Sequence, residues 1–123
     1  MMLSGDFYYT TALDLQEGKI NAILEINAKH SIFDGHFPGQ PVVPGVCMVQ
    51  IVKEVAESVL GKKTRLVSAD NLKFLAVIDP TENSIIHVEL AYSYAADNKV
   101  KLIASLVNGS VTYFKMSAIL VFA

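Results

Sequence analysis

Apolar and polar positions follow two different periods along this chain. Residues 7–15 are rich in aromatic and β-branched types, and apolar side chains occupy every second position of residues 20–26. Such an alternation places the apolar side chains on one face and predicts a half-buried strand. The same period of two returns after a long interruption, in residues 65–77, 86–94, 100–106 and 112–122. We therefore predict two strands, a different element, and then a meander of four strands.

The interruption contains a helical pattern. Its apolar residues recur every three to four positions, at Met48, Val52, Val55, Ala56, Val59 and Leu60. This spacing is typical of an amphipathic helix, and Pro44 suits its first turn while Gly61 suits its end. Because many residues here are β-branched and form helices only moderately well, burial must hold the helix in place. We predict one buried helix over residues 44–60.

Turn signals complete the pattern of elements. Asp97-Asn98 is a turn pair, and Asn108-Gly109 predicts a two-residue hairpin loop because both residues tolerate positive φ. Residues 34–45 are rich in Gly and Pro, so we expect neither strand nor helix there. Together these elements predict an α+β fold, in which a curved antiparallel sheet wraps around one long central helix. We expect residues 1–123 to form a single domain.

The composition narrows the functional classes. Apolar residues make up 52% of the 123 residues and charged residues 18%, which excludes an intrinsically disordered chain. A net charge of −2 provides no basic surface for nucleic acid. The longest apolar run, residues 41–52, is too short to span a membrane, and residues 1–14 lack the pattern of a signal peptide. The mean hydropathy of +0.40 is high for a small monomer and predicts a buried subunit interface or a ligand tunnel.

The single cysteine, Cys47, cannot form an internal disulfide, so a reducing, cytoplasmic location fits best. No cluster of Cys and His has the spacing of zinc ligands, and we predict no metal and no cofactor. Cys47 lies three positions before Gln50 on the predicted helix. It is interpreted either as a nucleophile paired with a histidine or as a packing residue, which is the common role of a buried cysteine.

The most informative segment is residues 36–46, which read His-Phe-Pro-Gly-Gln-Pro-Val-Val-Pro-Gly-Val. This segment resembles, almost residue for residue, the signature loop of the β-hydroxyacyl-acyl carrier protein dehydratases of fatty-acid synthesis. Residues 71–75, followed by Asp79-Pro80, resemble the strand and turn after the helix in that family. The resemblance extends over residues 20–122 and implies the hotdog fold, which also hosts thioesterases and proteins that only bind.

The resemblance also implies a reaction and its residues. These enzymes convert a 3-hydroxyacyl thioester to the trans-2-enoyl product, which requires a base, an acid, and hydrogen-bond donors to the thioester oxygen. The base corresponds to His36, and the donors correspond to the backbone N–H groups of Gly45 and Val46 at the helix start. The implied substrate-binding residues are Phe37, Pro38, Gly39, Val43, Pro44 and Phe74. The alternative for His36 is an ordinary loop histidine, and the alternative for Gly45 is a glycine needed for close packing.

The position of the acid departs from the family's pattern. Family members carry Glu or Asp fourteen residues after the motif histidine, where this chain has Gln50, and Gln four residues later, where it has Glu54. An amide has no proton to give near neutral pH, although it forms hydrogen bonds. Glu54 lies on the same helix face, about 6 Å further along the axis, and would act through water or on a shifted substrate. The candidate catalytic residues are therefore His36, Gln50 and Glu54, and the alternative for Glu54 is a carboxylate that is solvated or ion-paired with Lys53 or with another chain.

The resemblance implies two kinds of partner. In the family, the histidine and the acid of one site come from different subunits, so a dimer is required. A homodimer of this chain would have Gln50 in both sites, whereas a heterodimer with a Glu-bearing homologous dehydratase would have one site with His36 and a carboxylic acid. The other partner is acyl carrier protein with a phosphopantetheine-linked acyl chain. Half of the basic residues form either its docking patch or a solvated surface: Lys53, Lys62, Lys63, Arg65 and Lys73.

Three functions are consistent with these residues. The first is dehydration of 3-hydroxyacyl thioesters of acyl carrier protein in fatty-acid or polyketide-type synthesis. The second is a non-catalytic or partner-dependent subunit that binds acyl chains or completes a heterodimer. The third is a thioesterase in which Gln50 orients a water molecule, and for which only Glu54 offers a carboxylate.

Overall fold

The computed structural model of the protein describes residues 2–35, 37 and 39–123. Within these residues, one long helix packs against one six-stranded sheet. The elements in chain order are β1 Tyr8–Gln16, β2 Lys19–Ile26, α1 Ile32–Gly35, α2 Gly45–Leu60, β3 Thr64–Phe74, β4 Ile85–Ala95, β5 Lys99–Asn108 and β6 Val111–Phe122. The predicted α+β arrangement of an antiparallel sheet around one long helix is confirmed. Neither of the helices described here is long and apolar enough to cross a membrane.

The strands are ordered β1-β2-β4-β5-β6-β3, and all neighbouring strands are antiparallel. The predicted meander is confirmed for β4, β5 and β6, but it is wrong for β3, which pairs with β6 at the far edge of the sheet. Alternation along a strand determines which side chains face the core, but it contains no information about the neighbouring strand. Helix α2 carries the chain across the sheet, and β3 therefore starts at the edge opposite β1.

The core lies between α2 and the inner face of the sheet. Every second residue of the central strands is buried there, and the buried set comprises Ile20, Ala22, Leu24, Ile26, Ile86, Val88, Leu90, Val100, Leu102, Ala104, Leu106, Phe114, Met116, Ala118 and Leu120. Helix α2 contributes Cys47, Met48, Ile51, Val52, Val55 and Ala56. The apolar residues of the strand pattern and those of the helix pattern thus pack into one cluster.

The ends of α2 agree with the sequence signals. Pro44 precedes the helix in an extended conformation, with φ −61° and ψ 145°. Gly61 ends it in the left-handed conformation at φ 73°, and its N–H donates to the carbonyl oxygen of Glu57. A side chain with a Cβ would strain this last position, so the glycine determines where the helix stops.

Two turns test the predicted hairpins. Asp97 and Asn98 both have φ 62° between β4 and β5, which confirms the predicted turn. Asn108, in contrast, pairs with Val111, so the loop of the last hairpin is Gly109-Ser110 and the predicted loop is one residue too early. The reason is the Asn108 side chain, whose amide donates to the Ile85 carbonyl oxygen at 2.7 Å and holds this residue in the strand.

The segment before α2 contains a helical turn that the Gly and Pro content did not predict. Helix α1 covers Ile32–Gly35, and the N–H of Ile32 donates to Nδ1 of His30 at 3.0 Å. Phe33 is buried, with its ring centroid 5.4 Å from that of Phe7. This contact with a residue 26 positions earlier stabilises α1, and it is not visible in local sequence.

Strand β3 ends at Phe74, earlier than predicted, and its register shifts near this end. Asn71 has φ 55°, and the pairing with β6 jumps between Asp70 and Lys73, which is a β-bulge. After Phe74 the chain leaves the ladder, and the N–H of Leu75 donates to the carbonyl oxygen of Tyr113 at 2.9 Å. The bulge turns the end of β3 toward the start of α2.

Candidate functional site

A groove of about 470 Å³ lies at the start of α2, and we call it the helix-start groove. Its lining is mostly apolar and consists of Phe37, Val42, Val43, Gly45, Met48, Phe74, Leu75, Ala76 and Val77. Four residues assigned from the resemblance therefore meet in one place, although they come from the loop, the helix and β3. An apolar groove that ends at a helix N-terminus suits an acyl chain with a polar head.

Gly45 allows the Phe74 ring to approach the helix backbone. A Cβ at position 45 would lie 2.9 Å from Cε1 of Phe74, closer than such atoms come in proteins. The Phe74 ring stacks on Phe114, with the centroids 4.9 Å apart. The packing alternative for Gly45 therefore holds.

The start of α2 offers backbone donors in the same place. The N–H of Cys47 makes an early bond of the helix, to the carbonyl oxygen of Pro44 at 3.0 Å. The N–H groups of Gly45 and Val46 precede it, and N–H groups in the first turn of a helix have no acceptor within the helix. The helix dipole adds partial positive charge at this end. The close packing of Gly45 and its predicted role as a donor are therefore compatible.

The other predicted residues of the loop are placed as follows. Pro44 is buried at the helix start, whereas Gly39 and Val46 are exposed. Gly39 has φ 76° in a tight turn that the N–H of Gln40 closes by donating to the Phe37 carbonyl oxygen at 2.9 Å. His36 and Pro38 lie outside the described residues, and their roles stay predictions.

Gln50 lies in a different groove, of about 310 Å³, which we call the Gln50 groove. It runs between α2 and strands β3, β5 and β6, and its lining is Val49, Gln50, Lys53, Arg65, Leu66, Leu102, Met116 and Leu120. The two grooves share none of their described lining residues. In the described part of one chain, Gln50 and Gly45 therefore line two different grooves.

Glu54 is a buried carboxylate with 5% exposure. Four donors among the described residues surround it. The N–H of Leu3 and that of Ser4 each lie 2.8 Å from one of its oxygens, the Tyr8 hydroxyl lies at 3.0 Å, and Nε2 of Gln50 lies at 2.7 Å. The expectation of a solvated carboxylate is wrong because Glu54 is buried, and the expected partner Lys53 instead pairs with Glu57 at 3.8 Å.

The environment of Glu54 bears on its predicted role as an acid. A carboxylate that only accepts hydrogen bonds has no proton to give in this arrangement, so its contacts do not support direct substitution for the missing acid. The same hydrogen bonds engage Glu54 as the carboxylate on which the thioesterase alternative depends. Three of the four donors to Glu54 lie 46 to 51 residues away in sequence, so helical periodicity alone did not reveal them.

Two residues near Glu54, Tyr8 and Cys47, have raised pKa values. Burial, and then the charge of Glu54, raise the pKa of the Tyr8 phenol well above its usual range, so Tyr8 remains a donor. Burial likewise raises the pKa of the Cys47 thiol. Cys47 is fully buried, which fits the packing interpretation and disfavours a nucleophile.

Four of the five residues of the predicted basic patch border two different grooves, and the fifth, Lys73, lies near the end of β3. Lys53 and Arg65 border the Gln50 groove. Lys62 and Lys63 border a groove near Tyr8, and Nζ of Lys62 lies 5.2 Å from the centre of the Phe122 ring. Among residues 2–35, 37 and 39–123, no group of three or more His, Cys, Asp or Glu side chains is close enough to hold a metal ion.

Comparison with known proteins identifies relatives along most of the chain. The ApeI-like family model, described as ApeI dehydratase, matches residues 12–109. A 3-hydroxyacyl-(acyl-carrier-protein) dehydratase FabZ of Wolbachia sp. subsp. Drosophila simulans is 31% identical over 116 residues, which are 88% of this chain and 81% of that protein. The FabZ of Geobacillus thermodenitrificans is 32% identical over 107 residues, 80% of this chain and 73% of that protein.

A solved structure supports the fold independently. The dehydratase heterocomplex ApeI:P from Xenorhabdus doucetiae matches with a TM-score of 0.68 and 19% identity, over 92% of this chain and 96% of that chain. The predicted hotdog fold is confirmed.

The burial of Cys47 leads to a test of its chemistry. We expect a thiol reagent such as DTNB to react with the folded protein at neutral pH far more slowly than with the chain unfolded in guanidinium. Both burial and the raised pKa of the thiol suppress the reactive thiolate. The unfolded chain, which has one cysteine, is the control and should release one equivalent. Rapid labelling of the folded protein would restore the nucleophile interpretation.

Proposed function

Because the chain belongs to the ApeI-like dehydratase family, we propose that it forms a site for the dehydration of 3-hydroxyacyl thioesters carried by acyl carrier protein. The observation that carries this proposal is the helix-start groove, where an apolar lining meets the start of α2 at Gly45. The FabZ relatives are named for this reaction. The proposed product is the trans-2-enoyl thioester.

The proposed mechanism uses the groove and the loop before it. The thioester oxygen accepts hydrogen bonds from Gly45 and Val46, which stabilises the negative charge that develops on it. His36 removes the α-proton, and the electron pair of the broken C–H bond forms the double bond as hydroxide leaves from C3. The leaving hydroxide must receive a proton, and this is the step for which Gln50 is unsuited.

The amide at position 50 supports a second proposal, a partner-dependent subunit. In a heterodimer with a Glu-bearing homologue, His36 of this chain would work with the partner's acid. The fold neighbour from Xenorhabdus doucetiae is itself a dehydratase heterocomplex. The two separate grooves fit a site shared between subunits, because neither groove alone contains all the predicted groups. The basic residues around the Gln50 groove are proposed to attract the acidic carrier protein.

We further propose a reducing compartment such as the cytoplasm for this protein, because its cysteine, Cys47, is buried.

We also propose that β3 forms the subunit interface. It is an edge strand, and an unpaired edge favours pairing with a second chain. Leu66, Val67 and Phe74 of this strand are 45%, 49% and 54% exposed, which is unusual for so many apolar side chains on one element.

The interface can be tested with a charge on β3. We expect a dimer, either of this chain or with a homologue, in sedimentation at micromolar concentration. Val67→Lys should dissociate it because the charge would be buried in the interface. Val111→Lys, at an apolar position of β6 with similar exposure, is the matched control and should remain dimeric. A wild-type chain that stays monomeric alone and with a Glu-bearing homologue contradicts the proposal.

The base can be tested by removing its side chain. His36→Ala should lower the hydration of a 2-enoyl thioester, or the reverse dehydration, by about 10²–10⁴-fold, since a general base contributes that much. The melting temperature should be nearly unchanged. His87→Ala, on the exposed face of β4, is the control and should keep wild-type turnover. Equal rates for wild type and His36→Ala would exclude the assigned role.

The missing acid can be tested at position 50. Gln50→Glu adds a carboxyl group where Nε2 now lies 2.7 Å from Oε2 of Glu54. Two carboxylates this close cannot both be ionised, so the pair shares a proton near neutral pH. We expect turnover to rise by about 10²–10⁴-fold and to fall again as the pH increases and that proton is lost.

The control for this variant is Gln16→Glu, which adds the same charge on exposed β1. Rates are measured from the absorbance of the conjugated enoyl thioester across pH. A folded, dimeric Gln50→Glu protein without turnover on any 3-hydroxyacyl thioester would leave the partner-dependent subunit as the better proposal.

A further inference from the structure

A histidine outside the motif, His30, bridges the start of helix α1 and the segment before β1. Its Nδ1 lies 3.0 Å from the backbone nitrogen of Ile32, and its Nε2 lies 3.0 Å from Oδ2 of Asp6. The N–H of Ile32 can only donate, so Nδ1 must be the acceptor, and the ring proton must be on Nε2, where it faces a carboxylate. One neutral tautomer of His30 therefore satisfies both contacts.

The surroundings of the His30 ring are mostly apolar. The rings of His30 and Phe7 pack edge to face, with their centroids 5.4 Å apart, and the fully buried Phe7 also packs against Phe33 of α1. Asp6 is the charged group that faces the ring from the segment before β1, whereas Ile32, which faces it from α1, is uncharged. The Asp6 side chain is 74% exposed, so this ion pair contributes little to stability, and its main effect is on the choice of tautomer.

Further hydrogen bonds hold the chain before α1 against the same segment. The backbone N–H of Asn27 donates to the carbonyl oxygen of Phe7 at 2.8 Å, and its side-chain amide donates to that of Asp6 at 3.1 Å. Glu54 of α2 in turn holds residues 3, 4 and 8. Residues 3–8 therefore connect helix α2 to the start of α1, and His30 completes this connection.

Helix α1 depends on such a contact because it is short. It covers only Ile32–Gly35, and a single helical turn is unstable by itself, since it fixes several residues for few hydrogen bonds. N–H groups at the start of a helix have no acceptor within it, and Nδ1 of His30 supplies one. An Asn side chain makes the same contact with the N–H two residues later, as Asn27 does with Lys29 at 3.1 Å. His30 thus binds the backbone as Asn would, but His30 can also take up a proton.

We propose that His30 is a positioning residue, which in its neutral form holds α1 and thereby the chain that continues from Gly35 into His36. This inference rests on the proposed function, in which His36 is the base. When His30 takes up a second proton, Nδ1 becomes a donor and faces the N–H of Ile32, which is also a donor. The contact with Asp6 remains and the contact with α1 is lost. Acidification would therefore release α1 in addition to protonating the base.

The experiment uses two substitutions that affect the contact with Ile32 in opposite ways. His30→Ala removes the acceptor. His30→Asn keeps an acceptor for the N–H two residues later but takes up no proton near neutral pH. His87→Asn, on the exposed face of β4, is the matched control. All variants are made in the full chain.

The first readout is the ¹⁵N–¹H spectrum between about pH 5 and 8, recorded without ligand. In the wild-type protein and in His87→Asn, the Ile32 amide resonance should move together with the ring resonances of His30, because protonation removes the acceptor. In His30→Asn this resonance should not move with pH. In His30→Ala the Ile32 amide should exchange with solvent about 3- to 10-fold faster, as the loss of one hydrogen bond predicts.

The second readout is turnover of a 2-enoyl thioester, with a Glu-bearing homologue added where turnover requires one. His30→Ala should lower kcat by about 3- to 10-fold at nearly unchanged KM, because α1 is less often in place, and His30→Asn should restore kcat. Below neutral pH, the rate should fall less steeply in His30→Asn than in the wild-type protein, because one of two protonations is removed. A loss of stability alone would lower the active fraction without changing this slope.

The outcomes separate the inference from the proposed function. An Ile32 resonance that does not follow the protonation of His30 overturns the inference, and so does a His30→Asn protein with the acid slope of the wild type. Should His30→Ala not fold, the wild-type protein and His30→Asn still provide both comparisons. If the wild-type protein, alone and with a Glu-bearing homologue, turns over no thioester, the proposed function fails. The Ile32 resonance then decides by itself whether His30 holds α1.

Discussion

Helix α2 is enclosed by a single curved sheet, and any polar side chain on its buried face must find its partners inside the protein. Glu54 is the side chain that meets this constraint. An unpaired buried carboxylate would be very costly, and each hydrogen bond to a charged group recovers part of that cost. Residues 3, 4 and 8 supply three of the donors, so hydrogen bonds to this carboxylate hold residues 3–8 against the helix.

The burial of Glu54 also affects the chemistry of the Gln50 groove. Its fourth donor is Gln50, the residue at the position of the family's acid. A buried structural carboxylate and a catalytic carboxyl group one helical turn apart would repel each other unless one of them stayed protonated. The chain has the structural carboxylate and an amide beside it. The carboxylate that binds residues 3, 4 and 8 therefore also contacts the amide at position 50.

Local patterns predicted most of the fold. The alternation in β2, β4, β5 and β6, the helix up to Gly61, and the Asp97-Asn98 turn all depend on neighbours in sequence, and all are confirmed. The position of β3 beside β6 and the turn of α1 depend on distant contacts, and these were missed. At the site, four residues that the resemblance assigned to contacts with the substrate, Phe37, Val43, Gly45 and Phe74, line one groove. The resemblance could not reveal the donors from residues 3, 4 and 8 to Glu54, because these residues lie outside the part of the chain that it covers.

The separation of the two grooves determines how the proposed site would have to be assembled. The helix-start groove has the apolar lining and the backbone donors, while the Gln50 groove has the amide and two basic side chains. A substrate that needs both sets of groups would need two chains, and in the proposed dimer each chain would contribute one set to each site. In a homodimer both sites would lack the acid, whereas pairing with a Glu-bearing homologue would leave this chain free to retain the Glu54 network. In such a heterodimer, one subunit could keep a buried structural carboxylate on helix α2 while the other subunit provides the proton. A single helix would then not have to carry both groups.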